Sequence, residues 1–594
     1  MPPLGENARA KACQTPPCLR HPQKPIIPSG CKTSSRAFTE SKSADEPTGL
    51  QAPAGSIPGA IPHPFASPDF GLNKASIVAI PPQHIASKLP FPYLAPRWEL
   101  ASSRRASRTS NPLRNIVDNL KPDPEHPSPV LNFALGDPTA YALEGHLRCP
   151  DVLIDAVAKH VEEGLHNGYA CSAGTLEARQ ALAAAYSYPG RKLLTAEDVI
   201  IASGASGALE IVLTALLDEG DAVLIPRPGF ALYQVLARSL GAEAVPYDLV
   251  HEDNWAIDLA ALDATIAGYN NGQTVGNGGG AGLQGDVRGM PGSMRSDGPS
   301  TSRTLPARIK AIMVNNPSNP CGNVLSKENL LGLLDVARRH SLPIVADEIY
   351  GRLVFPGESF HPLGALTTDV PVLTVGGMAK QFAVPGWRVG WLLLHDPLGA
   401  LDGPGEEETC DHPQQRRASL RRGLENLTQL VLGANTLAQS TIPLLFSSKF
   451  GPRLEAFYAN YVSILVDNAN FIKATLLPVA EGMEGKEGIW GVTLSNFPQG
   501  ALYLLLKLSL DKFIDLPDDV AFCAALLKEE NLVLLPGQCF GIPGYVRLVL
   551  TPPRPALVEG LDRLRTFCFR HALVTKAEEA RPLLPMGCHD KIAK

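Results

Sequence analysis

The 594-residue chain has no run of 18 or more apolar residues, so no membrane-spanning helix is expected. It also lacks an excess of positive charge: 53 Lys and Arg stand against 59 Asp and Glu, a formal net charge of -6. That balance leaves no footprint for nucleic acid, which needs a basic face. Charged residues make up only 19% of the chain. The eleven cysteines are scattered, and Cys13 and Cys18 lack the second pair that a structural zinc site needs. No metal is therefore expected, and unpaired thiols suit a reducing compartment. What the chain does have is a hydrophobic content of 44%, enough for a large core.

The first 105 residues are rich in Pro, Ser and Ala and read as a disordered or targeting extension. Arg9, Lys11, Arg20, Lys24, Lys32 and Arg36 face only Glu6 and Glu40 there, the bias of a mitochondrial presequence. Pro16, Pro17, Pro22, Pro25 and Pro28 would break its amphipathic helix. The cytoplasm is the expected location, with the mitochondrion as the alternative. Residues 106–170 read as an N-terminal arm with part of a small domain, including a strand at 130–135 and a helix at 151–164. From 171 to 398 short apolar strands alternate with helices. Strands are expected at 198–202, 221–225, 309–315, 343–347, 371–375 and 388–395. Helices are expected at 175–188, 206–217, 231–240 and 326–339. This is an α/β pattern with a buried, mainly parallel sheet. A Gly-rich insertion at 270–306 reads as a mobile surface loop, and 399–420 as an exposed insertion. Residues 421–575 begin with a long helical region and continue as a smaller α+β domain. Strands are expected there at 489–495, 500–507, 532–535 and 545–550, and helices at 518–528 and 555–571. Residues 576–594 read as a loose tail.

Chemistry concentrates at the ends of the expected strands, where open α/β sheets bind ligands. Lys380 follows strand 371–375 in a turn of small residues, Gly376-Gly377-Met378-Ala379-Lys380. Its amine can condense with an aldehyde cofactor and later act as a base at a substrate Cα. Asp347 ends strand 343–347 and can keep a pyridine nitrogen protonated; its plain alternative is a strand-end cap. Tyr350 can give its hydroxyl to the oxygen on that ring. Asn319, in Asn315-Asn316-Pro317-Ser318-Asn319-Pro320, can reach the same oxygen from a turn fixed by two prolines. Ser203-Gly204-Ala205-Ser206 opens a helix, so the free amides at Ala205 and Ser206 make a phosphate cup. Arg388 can grip phosphate oxygens through its planar fork. Phe230 can lie flat on the ring, or simply pack in the core. Arg547 sits among apolar strand neighbours and needs an anionic partner, either a substrate carboxylate or a structural one. Gly136 can offer backbone to the same carboxylate. This set describes a site for pyridoxal 5'-phosphate and an amino acid. Cys539 lies close by in sequence and reads as a buried apolar thiol.

The stretches Asn111-Pro112-Leu113-Arg114, Gly136-Asp137-Pro138-Thr139, Asn167-Gly168-Tyr169, 226–233, 315–322, Asp347-Glu348-Ile349-Tyr350 and 376–391 carry a resemblance. Together they resemble the class I/II aminotransferases of fold type I, most closely the branch acting on tyrosine. The likeness spans roughly 111–575 outside the insertions. It implies a large domain on a mainly parallel seven-stranded sheet plus a smaller α+β domain. It also implies a homodimer with shared sites, in which Tyr169 reaches the neighbour's cofactor phosphate and Asn435 approaches the neighbour's site. Gln499 stands where the family has Ser or Thr, and Gly537-Gln538 is unusual; both are expected near the substrate.

The expected reaction is transamination of an aromatic amino acid, tyrosine or phenylalanine, with 2-oxoglutarate as acceptor. The first alternative is a C–S β-lyase acting on cysteine-like or cystine-like substrates with the same cofactor contacts. The second is an inactive scaffold, which intact Lys380, Asp347 and Arg388 argue against.

Overall fold

The computed structural model describes residues 101–117, 121–142, 146–270, 308–403, 418–476 and 488–573. The extension through 100, nearly all of the Gly-rich insertion, 404–417 of the second insertion, and the expected loose tail lie outside the described residues.

The large sheet contains β2 (Val199–Ser203), β3 (Ala222–Arg227), β4 (Glu243–Val250), β5 (Ala256–Ile257), β6 (Ile309–Asn315), β7 (Ile344–Asp347), β8 (Val372–Gly377) and β9 (Val389–His395). Their spatial order is β2-β9-β8-β7-β6-β3-β4-β5. β9 runs antiparallel between β2 and β8, and β5 runs antiparallel to β4; the other strands are parallel. The sheet thus has eight strands where seven were expected, and the extra one is the two-residue edge strand β5.

Side chains alternate across this sheet with the two-residue period of a strand. Ala222, Leu224, Ile312, Val314, Ile344 and Ala346 pack on one face with Leu262, Leu330 and Leu334 of two covering helices, Leu259–Asn270 and Lys327–Arg339. Val223, Ala311, Met313, Val345, Leu373 and Leu392 pack on the other with Leu209, Val212 and Tyr233 of helices Gly204–Leu216 and Leu232–Leu240. Burial on both faces explains why these strands are apolar throughout. β4 and the helix Leu259–Asn270 were not expected. β4 carries Pro246, which normally argues against a central strand. It is tolerated because the outer neighbour β5 meets only Leu249 and Val250.

The smaller sheet has the order β10-β11-β14-β13, built from β10 (Val492–Leu494), β11 (Tyr503–Leu508), β13 (Leu535–Pro536) and β14 (Tyr545–Val549). Its core holds Tyr461, Leu465, Phe522, Leu526, Leu561 and Phe567 from helices Gly451–Leu476, Asp519–Glu530 and Arg554–Arg570. The strand expected at 130–135 is only β1, Leu131–Asn132, pairing in parallel with β12, Leu532–Val533. The Asn132 side chain accepts from the amides of Ala134 (3.0 Å) and Leu135 (3.2 Å), which turns the chain out of the strand. The strand expected at 532–535 divides at Leu534, one half joining β1 and the other joining β14.

β9 meets the first turn of the helix Gly204–Leu216 at Gly390. A Cβ there would lie 2.3 Å from the Gly204 carbonyl carbon and 2.4 Å from the Ala205 nitrogen. Both obstacles are backbone, so neither can yield by a rotamer change. Gly390→Ala is expected to destabilise the fold by about 1–3 kcal/mol through overpacking. Urea unfolding measures this, and an unchanged midpoint would show that the helix is free to move.

Candidate active site

Parallel strands deliver their C-terminal residues to one edge of the sheet, and the candidate site is built there. Asn315 ends β6 and is in register with Asp347, which ends β7 beside Val375 of β8. Asp347 is 4% exposed. The Tyr233 hydroxyl donates to its Oδ2 at 2.7 Å, and the Ile349 amide donates to Oδ1 at 3.3 Å. Burial nevertheless pushes the carboxyl up to about 6, against the opposing pull of those two bonds. No cation pairs with Asp347 among the described residues.

Arg547 of β14 is buried as deeply, and burial lowers its pKa. Its Nη1 donates to Asn319 Oδ1 and its Nη2 to the Ala134 carbonyl, each at 2.7 Å. The guanidinium lies 4.1 Å from the Tyr503 ring centroid and 4.7 Å from that of Phe540. Nε has no partner, and no carboxylate pairs with Arg547 among the described residues. A structural ion pair, the competing reading of this arginine, is not what holds it.

Asn315 and Asn319 join the two charges. Asn315 Oδ1 accepts from the Asn319 amide at 2.7 Å, and Asn315 Nδ2 donates to the Asp347 carbonyl at 3.0 Å. The Asn316–Pro317 and Asn319–Pro320 peptides in this loop are both cis. Lys380 lies in the short helix Met378–Gln381 directly after β8, and its Nζ donates to the Gly136 carbonyl. A Cβ on Gly136 would sit 2.3 Å from the Tyr503 hydroxyl, so any larger residue there displaces that ring. That hydroxyl is 2.9 Å from the hydroxyl of Tyr350.

A second group of residues collects where β2 meets the helix Gly204–Leu216. Ser203 ends β2, Gly204 takes a φ of +74°, and Ala205 and Ser206 form the first helical turn. Arg388 donates to the carbonyls of Pro385 (3.2 Å) and Ser203 (3.4 Å). A Cβ on Gly204 would lie 2.7 Å from Arg388 Nη2, so glycine leaves the guanidinium room at the helix start. Unpaired amides, a hydroxyl and a cation at a helix N-terminus suit an anion.

The contacts therefore bring together Lys380, Gly136, Tyr350, Arg547, Asn319 and Asp347, while Ala205, Ser206 and Arg388 gather at the start of the helix Gly204–Leu216. Phe230 is edge-on to Tyr233, with ring centroids 5.8 Å apart. Tyr169 is not brought in: it is 92% exposed. Asn435 caps the helix Thr436–Gln439, accepting from the Ala438 amide at 2.8 Å. Cys539 is buried, and its thiol is pushed up to about 12. Gln499 and Gln538 are tied into the scaffold. Gln499 Oε1 accepts from Asn254 (2.7 Å) and the Val324 amide (3.0 Å), and its Nε2 donates to Glu358 (2.8 Å). Gln538 Nε2 donates to Asp519 at 2.9 Å.

Sequence reading gave no role to Tyr233 or Tyr503. Tyr233 stands one helical turn beyond Phe230, a spacing that could have flagged it. Nothing local distinguishes Tyr503, whose place depends on β11 reaching the end of β7.

The model of the family described as aminotransferase class I and II matches residues 128–564. Tyrosine aminotransferase of Homo sapiens is 34% identical over 475 residues, covering 80% of this chain and 88% of that protein. S-alkyl-thiohydroximate lyase of Arabidopsis thaliana is 31% identical over 489 residues, covering 81% and 90% respectively. The solved structure of tyrosine aminotransferase from Leishmania infantum superposes with a TM-score of 0.64 at 30% identity, over 80% of this chain and all of that one. A family pattern that begins just before Gly136 and runs past Arg547, shared with relatives along most of their length, makes this chain a member of the class I and II aminotransferases and an aminotransferase enzyme.

Proposed function

We propose that this enzyme transfers the amino group of an aromatic L-amino acid, tyrosine or phenylalanine, to 2-oxoglutarate, using pyridoxal 5'-phosphate. The observation that carries the proposal is a pair of buried, unmatched charges, Asp347 and Arg547, held in one site. Each is costly without a counter-charge, and a ligand can supply both. A protonated ring nitrogen complements Asp347, an α-carboxylate complements the fork of Arg547, and a phosphate complements the cradle of Ala205, Ser206 and Arg388.

When bound, the cofactor supplies an aldehyde for the amine and an electron-accepting ring for the charge that develops at Cα. Asp347 keeps the ring nitrogen protonated. Asn319 has its oxygen committed to Arg547, so its amide nitrogen is the end that serves the ring oxygen, together with the Tyr350 hydroxyl. Phe230 shields the ring from water. Arg547 fixes the substrate carboxylate, with the Gly136 backbone beside it. Lys380 holds the cofactor and then moves the proton at the substrate Cα.

The aromatic preference rests on the rings of Tyr503 and Phe540 beside Arg547 and on the tyrosine aminotransferases among the relatives. The lyase among them favours a second reading, C–S cleavage of a cysteine-like substrate at the same site. We also read the protein as a homodimer in which Tyr169 serves the neighbour's phosphate. Support comes from Val161, Leu165, Tyr169, Leu430, Val431 and Leu432, all exposed, on two segments joined by the Thr436 hydroxyl donating to the His166 carbonyl at 2.6 Å. An exposed apolar patch of this kind is one that a second copy would cover. The free cysteines and the absence of a helix long and apolar enough to cross a membrane among the described residues fit the cytoplasm.

Given tyrosine, the cofactor-loaded protein should form 4-hydroxyphenylpyruvate and glutamate only when 2-oxoglutarate is present. Pyruvate and ammonia made from cystine without an acceptor, and no product from tyrosine, would replace this reading with the lyase. Lys380→Ala should cut turnover by about 10⁴-fold or more, since it removes both the anchor and the base. Wild-type rates in that variant, without added amines, would rule out the role given to Lys380.

Asp347 also predicts a pH effect in cofactor-free protein. Its folded value of about 6 lies above that of an unfolded Asp, so the protonated form stabilises the fold. That contribution is complete below about pH 4 and is lost as the pH rises through 6. Asp347→Asn removes the loss, so the stability difference between variant and wild type should grow from pH 5 to pH 8, by on the order of 1–1.5 kcal/mol in the variant's favour. Urea unfolding at the two pH values reads this directly, and a pH-independent difference would contradict it.

A further inference from the structure

The helix Asp151–Glu163 stops at Gly164, whose φ of +66° turns the chain back over the last helical turn. His160 and Glu163 are three residues apart and share a helix face. The turn lays His166 against them, with the two imidazole centroids 4.7 Å apart. One donor atom from each of the three side chains lies within 4.8 Å of the other two.

The surroundings prepare these groups to bind. The Ser440 hydroxyl donates to the Leu437 carbonyl at 2.7 Å, and its oxygen is 2.6 Å from His160 Nδ1. With the hydroxyl proton on the carbonyl, Ser440 Oγ accepts from Nδ1–H, and Nε2 keeps its lone pair. A hydrogen bond to the other ring nitrogen is the usual means of orienting a metal-binding histidine. His166 is held in place through its own carbonyl, which accepts from Thr436 at 2.6 Å. Asn167 further ties the turn by donating to the Gly164 carbonyl at 3.3 Å. Glu163 pairs with Lys159 at 3.5 Å, an exposed pairing that a stronger cation would displace.

We propose that His160, Glu163 and His166 form a binding site for a divalent transition-metal ion of the zinc type. Two imidazoles and one carboxylate are a donor set that zinc favours, whereas calcium and magnesium prefer all-oxygen ligands. Ligands at about 2.0–2.1 Å around a tetrahedral ion stand roughly 3.4 Å from one another, so the three atoms close by little more than about 1 Å. Three protein ligands leave a fourth position for water. The site uses no residue assigned to the amino-transfer chemistry, and it lies in the same segment as Val161, Leu165 and Tyr169 of the proposed dimer face. No metal was expected from the sequence, because the cysteines carried that argument and the spacing His-x2-Glu-x2-His went unread.

Zinc titration by calorimetry, on full-length cofactor-loaded protein stripped with a chelator, tests the proposal. One ion per chain with a micromolar or tighter Kd is the expected result. Removing a ligand should cost at least as much as removing a ligand's hydrogen-bond partner, roughly 10–100-fold in affinity, in both His166→Ala and Glu163→Gln. Cobalt supplies a second readout, a visible tetrahedral absorption band in the wild type that His166→Ala loses. Circular dichroism establishes that each variant is folded. Wild-type zinc affinity in both variants, or no binding tighter than millimolar in the wild type, would overturn the assignment.

Discussion

The arrangement turns on two opposite charges buried in one site and prevented from neutralising each other. Asp347 and Arg547 belong to different sheets, and a direct ion pair would be the cheapest way to bury them. Asn315 and Asn319 stand between them instead. Asn319 offers Arg547 a neutral oxygen, and Asn315 binds the Asp347 backbone while taking the Asn319 amide. Tyr233 adds a neutral donor on the far side of the carboxylate. Each charge is thus oriented by dipoles and left with capacity for a ligand. The folded protein carries an electrostatic cost that a molecule with a cationic and an anionic end would relieve.

Glycine does the complementary steric work at two points. At Gly136 the missing Cβ leaves room for the Tyr503 hydroxyl beside the residue whose carbonyl receives Lys380. At Gly390 it lets β9 touch the first turn of the helix that begins at Gly204. These close approaches bring the small domain and the start of the helix Gly204–Leu216 up to the strand ends of the large sheet.

The strand-end residues were legible because a parallel sheet buried on both faces forces an apolar run that stops at a polar residue. β6 stopping at Asn315 and β7 at Asp347 follow that rule. So does Lys380, one short turn beyond β8. The edge of the sheet was harder: Pro246 disguises β4, and β5 is too short to have a period. Tyr503 escaped because its meaning lies in contacts with Tyr350 and Arg547, far from it in sequence. Gln499 and Gln538 looked like substrate-side departures, yet both amides serve loops and a buried aspartate. An unusual residue near a site in sequence is therefore no guide to what its side chain touches. Tyr169 shows the converse, since a single chain leaves it in solvent.

The pairing of β1 with β12 governs the order in which the protein can be assembled. Leu131 lies beside Leu532, and the Phe133 carbonyl accepts from the Val549 amide at 2.9 Å. On the ribosome the strands of the large sheet emerge together and can pair while synthesis continues. The N-terminal segment must wait, unpaired, for partners made some four hundred residues later. Closure of so long a loop is slow. Gly136 belongs to the same segment, so the lysine loop acquires its carbonyl partner only after the C-terminal strands have left the exit tunnel. The candidate site is then completed late, and a truncated chain would carry Lys380 and Asp347 without a finished site around them.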